Sequence, residues 1–543
     1  MRPALPLLLL AAAAAPLAAQ RRPAPLPAIT PGEIDAHLRF LSSDLLEGRA
    51  PATRGGELAA AYIAAQLAQY GYEPGADGSY FQRVPIDVVA ANRATIRVEA
   101  RGKANATLRD KEDVVVWAGS AVERSAAQAD LVFVGYGIAA PEYGWDDYKG
   151  RDVRGKIVLV LVNDPPAPPG EPGLFGGKAM TYYGRWTYKF EEAERRGAAG
   201  ALLVHTTLSA GYGWPTVVGS WAKEQRMLPR DPKLPPPLAF RGWITSQAAA
   251  RLLGEAGLDL AGLAKAAQAR SFDPVPAGIT LDVAFANAVQ HLESANVIGV
   301  LPGADPARRR EHVVFTAHWD HLGIGPAVDG DSIYNGAQDN ASGVADLLAV
   351  ARAAAAAPRP ARSLLFNFVT AEESGLLGSE YFAANPTVPL AQLVGGFNID
   401  GGNLRGETRD LILLGEQKSS LGAFVGARAK ARGLRLSPEE FPERGSFYRS
   451  DHFSLAKAGV PAVSVGAGTD FVGRPEGWGR EQIDEYTTRH YHQPSDEYRA
   501  DLDLRGAAQL AGVVLDAGLA LANSREWPRW SPDAEFRRSA PVP

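Results

Sequence analysis

From about Val297 onward, short apolar runs alternate with stretches of helical periodicity, and this alternation limits the fold more than any other feature of the chain. Val313–Ala317, Leu364–Thr370, Val394–Ile399 and Ala462–Val465 have the length and continuous apolar character of buried strands. Helical spacing is predicted over Ser342–Ala356, Gly375–Ala383, Leu421–Arg432 and Leu504–Ala522. Such alternation implies an α/β fold, a mostly parallel mixed sheet covered by helices on both faces.

At 543 residues the chain exceeds one ordinary core, so two or three domains are expected. Arg2, the apolar run Leu5–Ala15 and the small residues Ala18 and Ala19 have the order of a secretory signal peptide, 1–19, which predicts export to the periplasm or the medium. The run is shorter than the roughly 20 residues a membrane-spanning helix needs, so no stable membrane insertion is expected. Two helices are predicted between Pro31 and Tyr72, and 28–97 reads as an N-terminal helical part of the main domain. Residues 98–286 are richer in strand signals, with runs at Leu131–Tyr136, Ile157–Val162 and Ala201–His205 and a short charged helix at Lys189–Arg196. They read as an inserted domain. The α/β region proper is taken as 287–525, and 526–543 as a tail without functional signal.

Composition narrows the chemistry. A net charge of -5 with no basic stripe argues against nucleic acid as a partner. The chain has no cysteine, which removes thiolate zinc sites, cysteine nucleophiles and disulfides together. Any metal must therefore be held by His, Asp and Glu.

Those residue types collect where an open α/β sheet binds its ligands, beyond the carboxyl ends of the strands. His318-Trp319-Asp320-His321 follows the first strand run, Glu372-Glu373 the second and Asp400 the third. Asp339 precedes a predicted helix, and His490-Tyr491-His492 lies in a late loop. Taken singly, Asp339 is an ordinary helix cap and Glu372-Glu373 a solvated first turn. Taken together, with only 9 histidines in the chain, they form a candidate metal site. Zinc accepts imidazole nitrogen and carboxylate oxygen and leaves a position for water. Two ions about 3.5–4 Å apart clamp both oxygens of a displacement and call for a bridging carboxylate. A further carboxylate must then take the proton from water, and an adjacent Glu pair can divide these tasks.

The spacing His318-x-Asp320, Asp339-Asn340-x-Ser342-Gly343, Glu372-Glu373-x-Gly375-Leu376-x-Gly378-Ser379, Asp400 and His492 resembles the co-catalytic zinc aminopeptidases. The resemblance implies two zinc ions per chain, one on His318 and Asp400 and the other on Glu373 and His492. Asp339 would bridge them and be followed by a cis peptide to Asn340. Glu372 would be the general base, and Asp320 would orient His318 from behind. Leu131–Gly137, Asp146-Asp147-Tyr148 and Gly155–Val158 resemble a protease-associated domain of the kind inserted in these enzymes. Peptides are then the expected substrates, and Arg449–Phe453 resembles a loop lining the substrate pocket, with His452 and Asp451 as candidate contacts. His321 and His490 are expected near the ligands or in solvent. A carboxypeptidase, a dipeptidase, a one-zinc glutaminyl cyclase-like acyltransferase and a metal-free binding module remain alternatives, and the oligomeric state is open.

Overall fold

Alternate residues on the central strands face two different helical layers, which is why these runs are apolar throughout. The computed structural model describes residues 26–538, so the expected signal peptide lies outside the described residues. Val313, Phe315 and Ala317 of strand His312–His318 face one layer, and Val314 faces the other. Strand Ser363–Val369 divides in the same way, with Leu364, Phe366 and Phe368 opposite Leu365.

The main sheet runs Arg435–Ser437, Asp410–Leu414, Ala462–Ala467, Leu393–Asn398, His312–His318, Ser363–Val369 and the carboxyl half of Val275–Leu301. Pairings from Ala462–Ala467 through Ser363–Val369 are parallel, and antiparallel strands flank them. Helices Pro31–Leu41, Arg54–Gln69, Ser342–Ala356 and Arg505–Asn523 form the larger layer. Thr30 caps the first of them, accepting the Glu33 amide. The last is long and apolar enough to cross a membrane, but it packs here against Ser342–Ala356 as a core helix. Gly518 brings it hard against the sheet: a Cβ there would lie 2.2 Å from the ring of Phe315.

A second sheet pairs Val114–Ala118, Phe240–Thr245, Gly200–His205, Ile157–Leu161, Arg124–Phe133, the amino half of Val275–Leu301 and Arg97–Gly102. Val275–Leu301 therefore passes through both sheets, across the expected boundary at 286/287, and pairs antiparallel with Phe81–Ala91 over the crossing. The N-terminal segment is thus not purely helical. Residues 526–538 pack onto the body: Phe536 is buried, and Glu535 pairs with Lys418 at 2.9 Å and accepts from Tyr448.

Phe315 stacks between Phe366 at 4.6 Å and Phe397 at 5.5 Å and is 1% exposed. Phe315→Ala should destabilise the protein by about 3–5 kcal/mol in denaturant unfolding. A loss below about 1 kcal/mol would show that this stack is not the centre of the core.

Candidate metal centre

Three adjacent parallel strands deliver the first ligands to one edge. His318 is the last residue of its strand, Asp400 stands two residues past Leu393–Asn398, and Glu372-Glu373 follow Ser363–Val369. Asp339 lies on the turn that enters helix Ser342–Ala356, with a cis Asp339–Asn340 peptide as the resemblance implies. His492 comes from the loop after helix Trp478–Arg489.

The other four side chains gather around the Asp339 carboxylate. Its Oδ1 is 3.2 Å from His318 Nε2, which is itself 3.3 Å from Asp400 Oδ1. Its Oδ2 is 3.3 Å from His492 Nε2, which is 3.0 Å from Glu373 Oε2. One carboxylate thus serves two histidine–carboxylate pairs. Ligands about 2.0–2.1 Å from a tetrahedral zinc stand roughly 3.3 Å apart, close to these separations. His492 Nε2 is buried and makes no well-formed hydrogen bond, although two carboxylates lie within reach. The donor set fits a metal.

The electrostatics agree. Burial works against a charge on His492, but Glu373 and Asp339 outweigh it and push its pKa up to about 10. Burial likewise opposes a charge on His318, and Glu372, Asp400 and Asp339 carry its pKa well above the usual histidine value. Glu373 is held down to about 2: burial and Asp339 raise it, and His321 and His492 outweigh them. Excess carboxylate in a buried space favours any cation that can enter.

Polar groups behind the ligands fix their positions. Asp496 accepts the main-chain N–H groups of Gln338 at 2.9 Å and Asp339 at 3.0 Å, and the hydroxyl of Tyr486 at 3.0 Å. Asn340 Oδ1 accepts from Gly343 and Gly401 while its amide donates to Ile399 O, tying the Asp339 turn to the Asp400 turn. His321 Nδ1 lies 2.6 Å from Glu373 Oε1. The buried Arg49 guanidinium donates to the carbonyls of Leu41, Trp319, Asn335 and Gly336, fastening the segments on which His318 and Asp339 ride. Asp320 acts through different atoms than expected: its main-chain carbonyl is 3.1 Å from His318 Nδ1, its carboxylate is 3.8 Å away, and Oδ1 accepts the Glu372 amide at 3.1 Å.

A cleft of about 420 Å³ opens on the constellation, lined by Asp339, Glu372 and Asp400, by apolar Ile412, Leu414, Val465 and Phe441, and by Arg449 and Tyr491. His452 and Asp451 do not line it, which corrects the reading of them as substrate contacts. Both are 0% exposed; the His452 ring packs edge-on to Phe447 at 4.8 Å, and burial lowers its pKa to about 3. Burial raises Asp451 to about 7. Their neighbours Arg449 and Ser450 line the cleft instead. His490 sits apart, beside the Ser495 hydroxyl at 2.9 Å. Asp496→Ala should weaken zinc binding by roughly 10- to 100-fold in a competitive chelator titration; unchanged affinity would show that Asp496 does not position Asp339.

Residues 296–517 match the family model described as Peptidase family M28. Leupeptin-inactivating enzyme 1 of Streptomyces exfoliatus is 28% identical over 179 residues, which cover 33% of this chain and 36% of that protein. The match thus spans little more than a third of the relative's length. An aminopeptidase from Aneurinibacillus sp. strain AM-1 is 21% identical across 94% of this chain and 98% of its own, with a TM-score of 0.47. A zinc aminopeptidase from Bacillus subtilis is 19% identical across 91% and 95%, with a TM-score of 0.42. Residues 296–517, the segment that resembles Peptidase family M28, carry all five candidate ligands.

Proposed function

We propose that this protein is an exported two-zinc aminopeptidase that releases N-terminal residues from peptides. The observation that carries the reading is the division of Asp339 between His318 on one oxygen and His492 on the other. His318 and Asp400 would hold one ion, His492 and Glu373 the other, and Asp339 both. Charge supports the pair: Asp339, Glu372, Glu373 and Asp400 are four carboxylates around two imidazoles, and two divalent cations would offset them where one would not. Bound zinc would polarise the scissile carbonyl and bring the pKa of a water toward neutrality.

Glu372 lines the cleft beside Asp339 and Asp400 and stands outside both histidine–carboxylate pairs. Burial, with Asp400, Glu373 and Asp451 nearby, raises its pKa well above the usual glutamate range against the pull of His318. A carboxylate tuned in this direction can accept a proton from the attacking water and return it to the leaving amine. Ile412, Leu414 and Val465 offer an apolar wall to the N-terminal side chain. The inserted region, read as protease-associated, would shape the cleft through its contacts with the 442–457 segment. Export rests on the leader-like residues 1–19, with cleavage near Ala19.

Glu372→Gln should keep about two zinc ions per chain and lose on the order of 10²–10⁴ in kcat on aminoacyl substrates. A kcat near that of the wild type would remove Glu372 from the base role. Chelation should abolish turnover and zinc should restore it. One zinc per chain would favour a cyclase-like acyl transfer, and cleavage of N-blocked peptides alone would favour a carboxypeptidase.

A further inference from the structure

A row of side chains crosses the main sheet next to the cleft. Thr316, Asn398, Ser464 and Leu414 stand opposite one another on four neighbouring strands, so they share one face. Residues of the other parity, Phe315, Phe397, Val465 and Leu413, fill the core on the far side. Thr316 Oγ1 donates to Asn398 Oδ1 at 2.7 Å. Asn398 Nδ2 donates to Ser450 Oγ at 2.7 Å and to Ser464 Oγ at 3.3 Å. This orientation of the buried carboxamide satisfies its oxygen and both N–H bonds, whereas the reverse would leave one N–H without an acceptor.

Each serine oxygen therefore accepts, and its own proton is left to donate. Neither hydroxyl meets an acceptor among the described residues. Both serines line the cleft and are only 5% exposed. Two donors in a largely buried wall are unfavourable unless something accepts from them. The wall also has room beside them. Gly466 stands opposite Ile412 on the same face, two residues beyond Ser464, and a Cβ there would meet only Ile412 O, at 3.9 Å. Ile412 and Leu414 flank this opening and line the same cleft. The result is an apolar recess with two hydroxyl donors beside it.

We propose that the recess over Gly466 takes the side chain of the substrate's N-terminal residue, and that Ser450 and Ser464 donate to a neutral oxygen on it, so that the protein favours N-terminal glutamine or asparagine. This inference rests on the peptidase reading above and names its substrate class. The stem of such a side chain would pack on Ile412 and Leu414, and its carbonyl oxygen would accept from the serines. A site built to donate discriminates against a side chain that cannot accept, because its buried donors are then left unpaired. Asp400, Glu439 and Glu440 line the same cleft against Arg444 and Arg449, so an anionic side chain gains no net attraction there.

The test measures kcat/KM of the zinc-loaded enzyme on the p-nitroanilides of Gln, Met, Glu and Ala. Gln and Met have stems of similar length, and only Gln carries a strong acceptor. Gln should exceed Met, and the Gln-to-Met ratio should fall roughly tenfold in Ser464→Ala and in Ser450→Ala. Ser464→Thr, which keeps the hydroxyl, should retain most of the ratio. Glu should be slower than Gln. Gly466→Val, which fills the recess, should slow Gln and Met more than Ala, and Gly466→Ala should do so more weakly if the valine variant does not fold. A ratio unchanged in both serine variants, faster cleavage of Glu than of Gln, or equal slowing of Ala and Gln in the Gly466 variants would overturn this inference alone. Hydrolysis of none of the four would sink the peptidase reading and this inference with it.

Discussion

Everything in the candidate site turns on one carboxylate that faces two ways. Asp339 Oδ1 reaches His318 and Oδ2 reaches His492, so the two halves of the constellation are joined through a single side chain. A carboxylate in that position cannot be free to rotate. Asp496 holds the main chain at and before Asp339, and Asn340 ties the same turn to the Asp400 turn. The parallel strands then set the spacing of His318, Glu372, Glu373 and Asp400, because neighbouring strands in register end side by side.

The same arrangement gathers negative charge in a largely buried space. The nearest buried cation, Arg49, is spent on four main-chain carbonyls. Both histidines are pushed toward holding protons, and Glu372 is pushed toward accepting one. A site of this kind is built to be completed by cations.

Much of this was legible in the chain. The strands that end at His318, Glu372 and Asp400 are buried on both faces, so they read as unbroken apolar runs, and their ends were recognisable within a residue or two. Helix Ser342–Ala356 matched its predicted span. What escaped was held by contacts distant in sequence. Asp496 and Arg49 bond main-chain groups far from themselves and leave no local pattern. Helix Trp478–Arg489, which leads to His492, is polar, with only Gly479 buried, so no apolar stripe marked it. The strand Val275–Leu301 did carry a signal, the alternation of Ile279, Leu281, Val283 and Phe285, and its run through both sheets explains why a domain boundary at 286 looked natural and is crossed by continuous backbone. His452 misled for a physical reason: a histidine next to cleft residues resembles a contact until its burial is known.

The most direct test of the shared carboxylate is crystallographic. Anomalous scattering at the zinc edge from the zinc-loaded protein should show two peaks about 3.5–4 Å apart, one on each side of Asp339. Loss of both peaks in Asp339→Asn would fit the same account. A single peak bound to one histidine alone, with Asp339 uninvolved, would contradict it.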